Sequence, residues 1–272
     1  MSAVDIAACI ALMDELTDIS ARAAQAIKDW SGKGAVRSKA DGSPVTAADE
    51  AAEAVICDGL ARLAPAIPVI SEEQAAREMP KIPIASPGGE VAGYFLVDPL
   101  DGTREFIAGR DEYTVNIALI SAGSPVLGII TAPAIGLTWR GIVGHGAERI
   151  AHTDGKCSPP RAIRTRPRPE RGLVVLVSRS HLEERTRAYL NALPYAKSVQ
   201  CGSSIKFCRI AEGSADLYPR LAPTRDWDIA AGHAILKAAG GDVAAPDGSR
   251  LRYGSHDLLI PEFLASGVAI TA

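Results

Sequence analysis

The sequence is poor in aromatic residues. Three Trp, six Tyr and four Phe make up 5% of its 272 residues, which leaves few rings on which nucleic-acid bases could stack. Cysteine is sparse and scattered: Cys9, Cys57, Cys157, Cys201 and Cys208 are odd in number and form no CxxC pair, which excludes a disulfide framework and a zinc ribbon. Charge of either sign is not in excess. Lys and Arg number 29 against 32 Asp and Glu, for a formal net charge of -3 and a pI near 6.0, far from the basic footprint of a general nucleic-acid binder. The first residues, MSAVDIAACIALMDEL, lack a basic segment followed by an unbroken apolar one, since Asp5 and Asp14 interrupt them, so no secretory leader is read there. One segment, residues 114–139, runs without a charge and is long enough to cross a bilayer. Gly123, Ser124, Pro125, Gly128 and Pro133 cut it, so it reads as two buried strands joined by a hairpin at SAGSP, with no transmembrane segment. A reduced, cytoplasmic protein is expected.

What is present is an ordinary globular composition, 47% hydrophobic and 22% charged, long enough to bury a sizeable core as one large domain or two modest ones. Helical spacing of apolar residues predicts a helix from Ile6 to about Trp30. Thr46 caps a second, AADEAAEAVICDGLARL, ended near Pro65. IPVIS and YFLV read as short strands, followed by the two strands of residues 114–131, a Gly-rich stretch to about residue 150 and the Arg-Pro run RAIRTRPRPER. Beyond it, GLVVLVSRS is a strand, HLEERTRAYLNAL a helix, SIKFCRIAEGSA helical, DLYPRL a strand, and DWDIAAGHAILKAAGG a helix stopped by Gly240 and Gly241. The expected organisation is an α+β N-terminal subdomain over residues 1–150 and an α/β C-terminal subdomain over 151–272, forming one catalytic unit. The arginines of the Arg-Pro run read as a solvated connection rather than a nucleic-acid patch.

Acidic residues collect where apolar elements end: ISEE at Glu72 and Glu73, VDPLD at Asp98 and Asp101, and RDWD at Asp226 and Asp228. Turn chemistry explains Pro99 and Gly102 but not two carboxylates three residues apart, which repel each other unless a cation lies between them. Oxygen ligands from separate elements, without a His or Cys motif, favour Mg²⁺ or Mn²⁺ over zinc. Pro99 holds Asp98 extended, the turn returns Asp101 toward it, and Gly102 lets backbone approach a ligand. If TREFIAG opens a helix, its first N–H groups favour a phosphate. Metal-assisted phosphoester hydrolysis uses that combination.

DGSPVTAADEAAE, ISEE, VDPLDGTREFI, GSSIKFC and DWDIAAGHAILKAAGG, in that order over residues 36–241, resemble the inositol-monophosphatase superfamily and, within it, the bacterial 3'(2'),5'-bisphosphate nucleotidases of sulfate assimilation. The resemblance implies a layered αβαβα sandwich of the sugar-phosphatase type with the site between its subdomains. It implies Glu72, Asp98, Asp101 and Asp228 as ligands of two or three Mg²⁺ ions, Asp98 as the bridge, and the carbonyl of Leu100 in one shell. Mn²⁺ would substitute and Li⁺ inhibit. Asp49 and Thr103 would activate the attacking water, while the amides of Gly102 and Thr103 hold the phosphate. Glu73 stands in the family pattern without an assigned contact. A homodimer and peripheral association at the inner membrane are compatible with it.

Each residue also has a plainer reading: Asp49 on a solvated helix face, Asp228 as a helix N-cap, Glu72 and Glu73 as surface charges, Lys39 as a loop lysine, Cys57 and Cys208 as buried apolar side chains. On the leaving-group side, Arg220 stands where inositol phosphatases carry a glutamate that contacts sugar hydroxyls, and its planar fork suits a second phosphate instead. Lys206 adds a cation, or else lies on a solvated helix face, and Ser203 and Ser204 add hydroxyls. The expected substrate is a small phosphorylated nucleotide bound by these residues together with Lys39, Glu72, Leu100, Asp101, Gly102, Thr103 and Asp228. The expected reaction is removal of the 3'-phosphate of adenosine 3',5'-bisphosphate, with its sulfated analogue as a second substrate. Inositol-1-phosphate or fructose-1,6-bisphosphate hydrolysis is the alternative within the class, and a non-catalytic nucleotide or metal sensor the alternative outside it.

Overall fold

The computed structural model describes residues 5–33, 36–39, 42–78, 93–153, 156–179, 183–193 and 196–268. Asp41 of the DGSP turn and the first two residues of HLEERTRAYLNAL, His181 and Leu182, lie outside them. The chain runs α1 (Ile6–Asp29), β1 (Arg37–Ser38), β2 (Pro44–Val45), α2 (Ala47–Leu63), β3 (Val69–Ser71), α3 (Glu72–Arg77), β4 (Tyr94–Asp101) and α4 (Thr103–Ile107). Next come β5 (Thr114–Ser121), β6 (Ser124–Ala132), β7 (Leu137–Ile142), β8 (Gly146–Thr153), β9 (Lys156–Cys157), β10 (Arg161–Ile163) and β11 (Val174–Ser178). The rest is α5 (Glu184–Asn191), β12 (Lys197–Cys201), α6 (Ile205–Ala211), β13 (Leu217–Arg220), β14 (Thr224–Arg225), α7 (Asp226–Ala238), β15 (Asp242–Ala244), β16 (Leu259–Ile260) and β17 (Phe263–Ser266).

Two sheets carry the fold. The larger has the order β10-β8-β7-β6-β5-β4-β3, with β9 beside β8; only β3 and β4 pair in parallel in it. The smaller has the order β12-β11-β13-β17-β15, with β11 parallel to both β12 and β13. The long charge-free segment becomes β5 and β6, and alternation explains its unbroken apolarity. Val115, Ile117, Leu119, Leu127 and Ile129 face a core shared with α1 and α2. Ala118, Ile120, Ile130 and Ala132 face the opposite core, shared with α6 and α7. A sheet covered on both faces has no polar side to show. Among the described residues no helix is long and apolar enough to cross a membrane. On the far side of the smaller sheet, Leu173, Val175 and Leu217 pack under Tyr189 and Leu190 of α5. The layers are therefore helix, sheet, helix, sheet, helix, as expected.

The Gly-rich stretch before residue 150, given no element from its composition, forms the antiparallel strands β7 and β8. Gly141 of β7 and Gly128 of β6 serve close packing against α7, whereas Gly136 and Gly144, with φ of 62° and 83°, turn the chain. A Cβ on Gly128 would lie 2.3 Å from the carbonyl oxygen of Ala231 in α7, so helix and sheet meet backbone to backbone. The larger sheet continues into the Arg-Pro run, where Arg161–Ile163 pairs with β8. Arg166 of that run is held by Asp216 through two hydrogen bonds of 2.7 and 2.6 Å.

Candidate active site

Thr46 opens α2 through a capping box. Its hydroxyl accepts from the Ala48 amide at 3.2 Å, and Asp49 Oδ2 accepts from the Thr46 amide at 2.8 Å and from its hydroxyl at 2.6 Å. Asp49 is therefore buried, not on a solvated face, and its second oxygen, Oδ1, accepts from Thr103 Oγ1 at 3.1 Å. Burial raises the pKa of Asp49, while the Thr46 and Thr103 bonds oppose the rise. Thr103 begins α4 directly after Gly102, whose φ of 92° lies in the left-handed region. A Cβ there would meet the Glu112 carbonyl oxygen at 2.9 Å.

Asp98 and Asp101 lie on β4 itself, not in a loop after it, and the pairing of β4 with β5 shifts register between them. The irregularity is what lets both carboxylates face one place. Asp98 Oδ1 accepts from the Leu100 amide at 3.1 Å, and Asp101 Oδ2 accepts from the Ser204 amide at 2.6 Å. Glu72 arrives at the start of α3, immediately after β3, and Asp228 in the first turn of α7. Arg225, not Asp228, is the N-cap of α7. Asp228 Oδ2 accepts from the Arg225 amide at 3.1 Å and from the Thr224 hydroxyl, which leaves its other oxygen for the cleft. Asp226 turns away and accepts from the Gly254 amide at 2.7 Å.

Glu72, Asp98 and Asp228 each place a carboxylate oxygen within 4.8 Å of the others. Burial first, then Glu72, Asp101 and Asp228, push Asp98 well above the usual carboxylate range. Burial and Asp228 push Asp101 up to about 7, with Lys206 opposing. Lys39 donates to Glu72 Oε1 and Glu73 Oε1, each at 2.6 Å. Burial disfavours its ammonium, but Glu72 and Glu73 outweigh that and raise its pKa. The ammoniums of Lys39 and Lys206 do not balance this many clustered carboxylates, and like charges so placed favour a cation among them. The donors are all oxygen, which fits a hard divalent ion such as Mg²⁺.

These groups line a cleft of about 350 Å³ that also reaches Ser203, Lys206 and Arg220. Lys206 is buried and does not lie on a solvated face. It donates to the carbonyls of Ser203 at 2.5 Å and Cys201 at 3.3 Å, and stands 4.8 Å from the centre of the Tyr218 ring. Arg220 donates from one terminal nitrogen to the Pro223 carbonyl at 3.3 Å, whereas its Nε is buried with no hydrogen-bond partner among the described residues. The structure thus gathers Lys39, Glu72, Asp98, Leu100, Asp101, Gly102, Thr103, Ser203, Lys206, Arg220 and Asp228 around one space, with Asp49 bonded to Thr103 behind them.

The groups that support these residues are less visible in the sequence. Ser204 Oγ bonds Asn116 Oδ1 and Thr114 Oγ1, each at 2.7 Å. A lone amide inside an apolar strand was the signal for Asn116. Glu53 accepts from the Ser71 hydroxyl at 2.5 Å and the Gln74 amide at 3.0 Å, fixing the turn that presents Glu72. Its spacing of four from Asp49 puts both on one helix face.

Comparison with known proteins places the chain in a family. The model of the inositol monophosphatase family matches residues 3–270. The 3'(2'),5'-bisphosphate nucleotidase CysQ of Shigella flexneri is 42% identical over 263 residues, covering 94% of this chain and 99% of its own. The CysQ nucleotidase of Salmonella typhimurium is 44% identical over 237 residues, or 86% of this chain and 87% of its own. Among solved structures, CysQ from Bacteroides thetaiotaomicron, a bacterial member of the inositol monophosphatase family, superimposes with a TM-score of 0.77 at 34% identity over 93% of this chain and 95% of that one. With the layered fold, the acidic cluster and a family match running through nearly all its length, the chain belongs to the inositol monophosphatase family.

Proposed function

We propose that the protein is a Mg²⁺-dependent phosphatase that removes the 3'-phosphate of adenosine 3',5'-bisphosphate to give AMP and inorganic phosphate, and that it accepts the 5'-phosphosulfate analogue. The observation that carries this reading is the meeting, in one cleft, of the Glu72, Asp98 and Asp228 carboxylates with the Asp49–Thr103 pair on one side and Lys206 and Arg220 on the other. Glu72, Asp98, Asp101, Asp228 and the Leu100 carbonyl would hold the metal. Bound there, Mg²⁺ supplies charge neutralisation at the phosphoryl group and makes a water more acidic.

The protein's own groups account for the remaining chemistry. Thr103 donates its hydrogen to Asp49 Oδ1, so the hydroxyl oxygen accepts a proton from the attacking water while its own proton passes toward Asp49. Asp49 is oriented for this by its two bonds to Thr46. A sensor would have no use for such a pair. The amides of Gly102 and Thr103 would hold the scissile phosphate. Lys206, with Ser203 and Ser204 beside it, would bind the leaving nucleotide, and the unpartnered Nε of Arg220 would meet its 5'-phosphate. Phosphate release measured side by side on adenosine 3',5'-bisphosphate, inositol 1-phosphate and fructose 1,6-bisphosphate with Mg²⁺ tests the reading. Preference for either of the last two would sink it.

A further inference from the structure

Three strand ends from the two sheets meet beside the cleft: the start of β5, preceded by Glu112, and the C-terminal ends of β11 and β12, followed by Arg179 and Gly202. Glu112 joins them. Its Oε2 accepts from Arg179 Nε at 3.0 Å, from a terminal Arg179 nitrogen at 2.8 Å and from the Gly202 amide at 3.1 Å. The contact is close on the backbone side too, since a Cβ on Gly202 would lie 2.8 Å from the Glu112 Cβ and 2.9 Å from its carbonyl oxygen. The residue after Gly202 is Ser203, whose φ of 46° lies in the left-handed region that non-glycine residues seldom adopt. Such a conformation persists only where its surroundings over-determine it. On one side Lys206 grips the Ser203 carbonyl and Asp101 the Ser204 amide. On the other side the grip is Glu112.

We propose that Glu112, backed by Arg179, is a positioning residue that holds the Gly202-Ser203-Ser204 turn in the shape that binds the leaving-group half of the substrate. The inference rests on the phosphatase reading, because it takes that turn as part of the nucleotide subsite. Neither side chain needs to touch the reacting atoms. Without the carboxylate, Gly202 loses its partner, Ser203 relaxes toward an ordinary φ, and its carbonyl no longer aims at Lys206.

Glu112→Gln and Arg179→Gln test it, singly and together, through steady-state kinetics on adenosine 3',5'-bisphosphate with saturating Mg²⁺, calorimetric binding of AMP, and thermal unfolding. AMP carries the leaving-group half alone, so its binding reports the turn without turnover. Each single variant is expected to raise KM and weaken AMP about tenfold, as for loss of one charge-assisted contact, with kcat changed by less than about threefold. The double variant should be no worse than Glu112→Gln alone, because Arg179 acts only through that carboxylate. Unchanged KM and AMP affinity in a folded Arg179→Gln protein, or losses that multiply in the double variant, overturns the proposal even if the unfolding temperature drops. Arg179 is partly exposed, so its variant keeps the test valid if Glu112→Gln folds poorly. Absence of phosphate release from the unaltered protein would instead defeat the phosphatase reading, and the AMP comparison would still judge the turn.

Discussion

Thr103 Oγ1 stands 3.1 Å from Asp49 Oδ1, across 54 residues of chain, where α2 docks against β4. If this pair removes a proton from the attacking water, Asp49→Asn and Thr103→Val should each lower kcat by about 10²- to 10⁴-fold with little change in KM, the range usual for a lost general base. Thr103→Ser should keep most of the rate. Combining the two severe changes should add little, because the residues act as one unit. A Thr103→Val enzyme within tenfold of normal would remove the hydroxyl from the mechanism.

The carboxylate cluster gives a pH signature of its own. Asp101 and Glu73 have folded-state pKa values near 7, raised first by burial, and Asp98 lies well above its ordinary value. An acid whose pKa is raised on folding binds more protons folded than unfolded, so its stabilising share is complete below about pH 4 and is lost as pH climbs through its folded pKa. After chelation the unfolding temperature should therefore fall between about pH 4 and 7. Mg²⁺ should restore it, with a larger rise at pH 8 than at pH 5. Asp98→Asn should flatten the chelated profile in part and abolish both the Mg²⁺ shift and turnover. A chelated protein that grows more stable across that window would contradict the electrostatics.

Much of this was legible before any coordinates, for a physical reason that differs from element to element. Thr46 and the helical spacing behind it place α2 at residues 47–63 as expected, because capping and periodicity are local. DPxDG announces surplus charge for the same reason, although its aspartates fall on β4 about a shift of register rather than in a turn. What stayed hidden is set by partners distant in sequence. Gly128 and Gly141 look like strand breakers until α7 lies on them. Lys206 was undecided between cleft and solvent until Tyr218 and the Ser203 carbonyl surrounded it. Glu112 and Arg179, 67 residues apart, gave no sign of each other.

On the proposed reading, Arg220 would carry the choice between substrates. Among the described residues its Nε is buried and unpartnered, an arrangement that costs free energy unless a ligand group fills it. Replacing it by the opposite charge in Arg220→Glu should raise KM for adenosine 3',5'-bisphosphate by at least about tenfold, since one charge-assisted pair is lost and a repulsion introduced. Hydrolysis of inositol 1-phosphate should hold or improve, as the new carboxylate suits hydroxyl groups. Equal losses on both substrates would show that Arg220 supports the fold rather than selecting the leaving group.

The packing of α7 on the larger sheet links stability to the site, because α7 carries Asp228 at one end and Ala231 at the contact with Gly128. The φ of Gly128 suits any residue, so Gly128→Ala is free of backbone strain, but its methyl group would start 2.3 Å from the Ala231 carbonyl oxygen and 3.0 Å from its Cα. Both are backbone atoms that move only with the helix. Overpacking of this kind costs about 1–3 kcal/mol. Its relief is a displacement of α7, which takes Asp228 away from Glu72 and Asp98. Gly128→Ala should therefore lower the unfolding temperature and raise the Mg²⁺ concentration for half-maximal activity several-fold. Gly59→Ala makes the comparison sharp: the three atoms nearest its methyl group would all belong to the Ile19 side chain, the first at 2.7 Å, between α1 and α2. That variant should lose stability while its Mg²⁺ requirement stays put. If the two behave alike, the distance between Asp228 and its partners does not depend on how α7 seats.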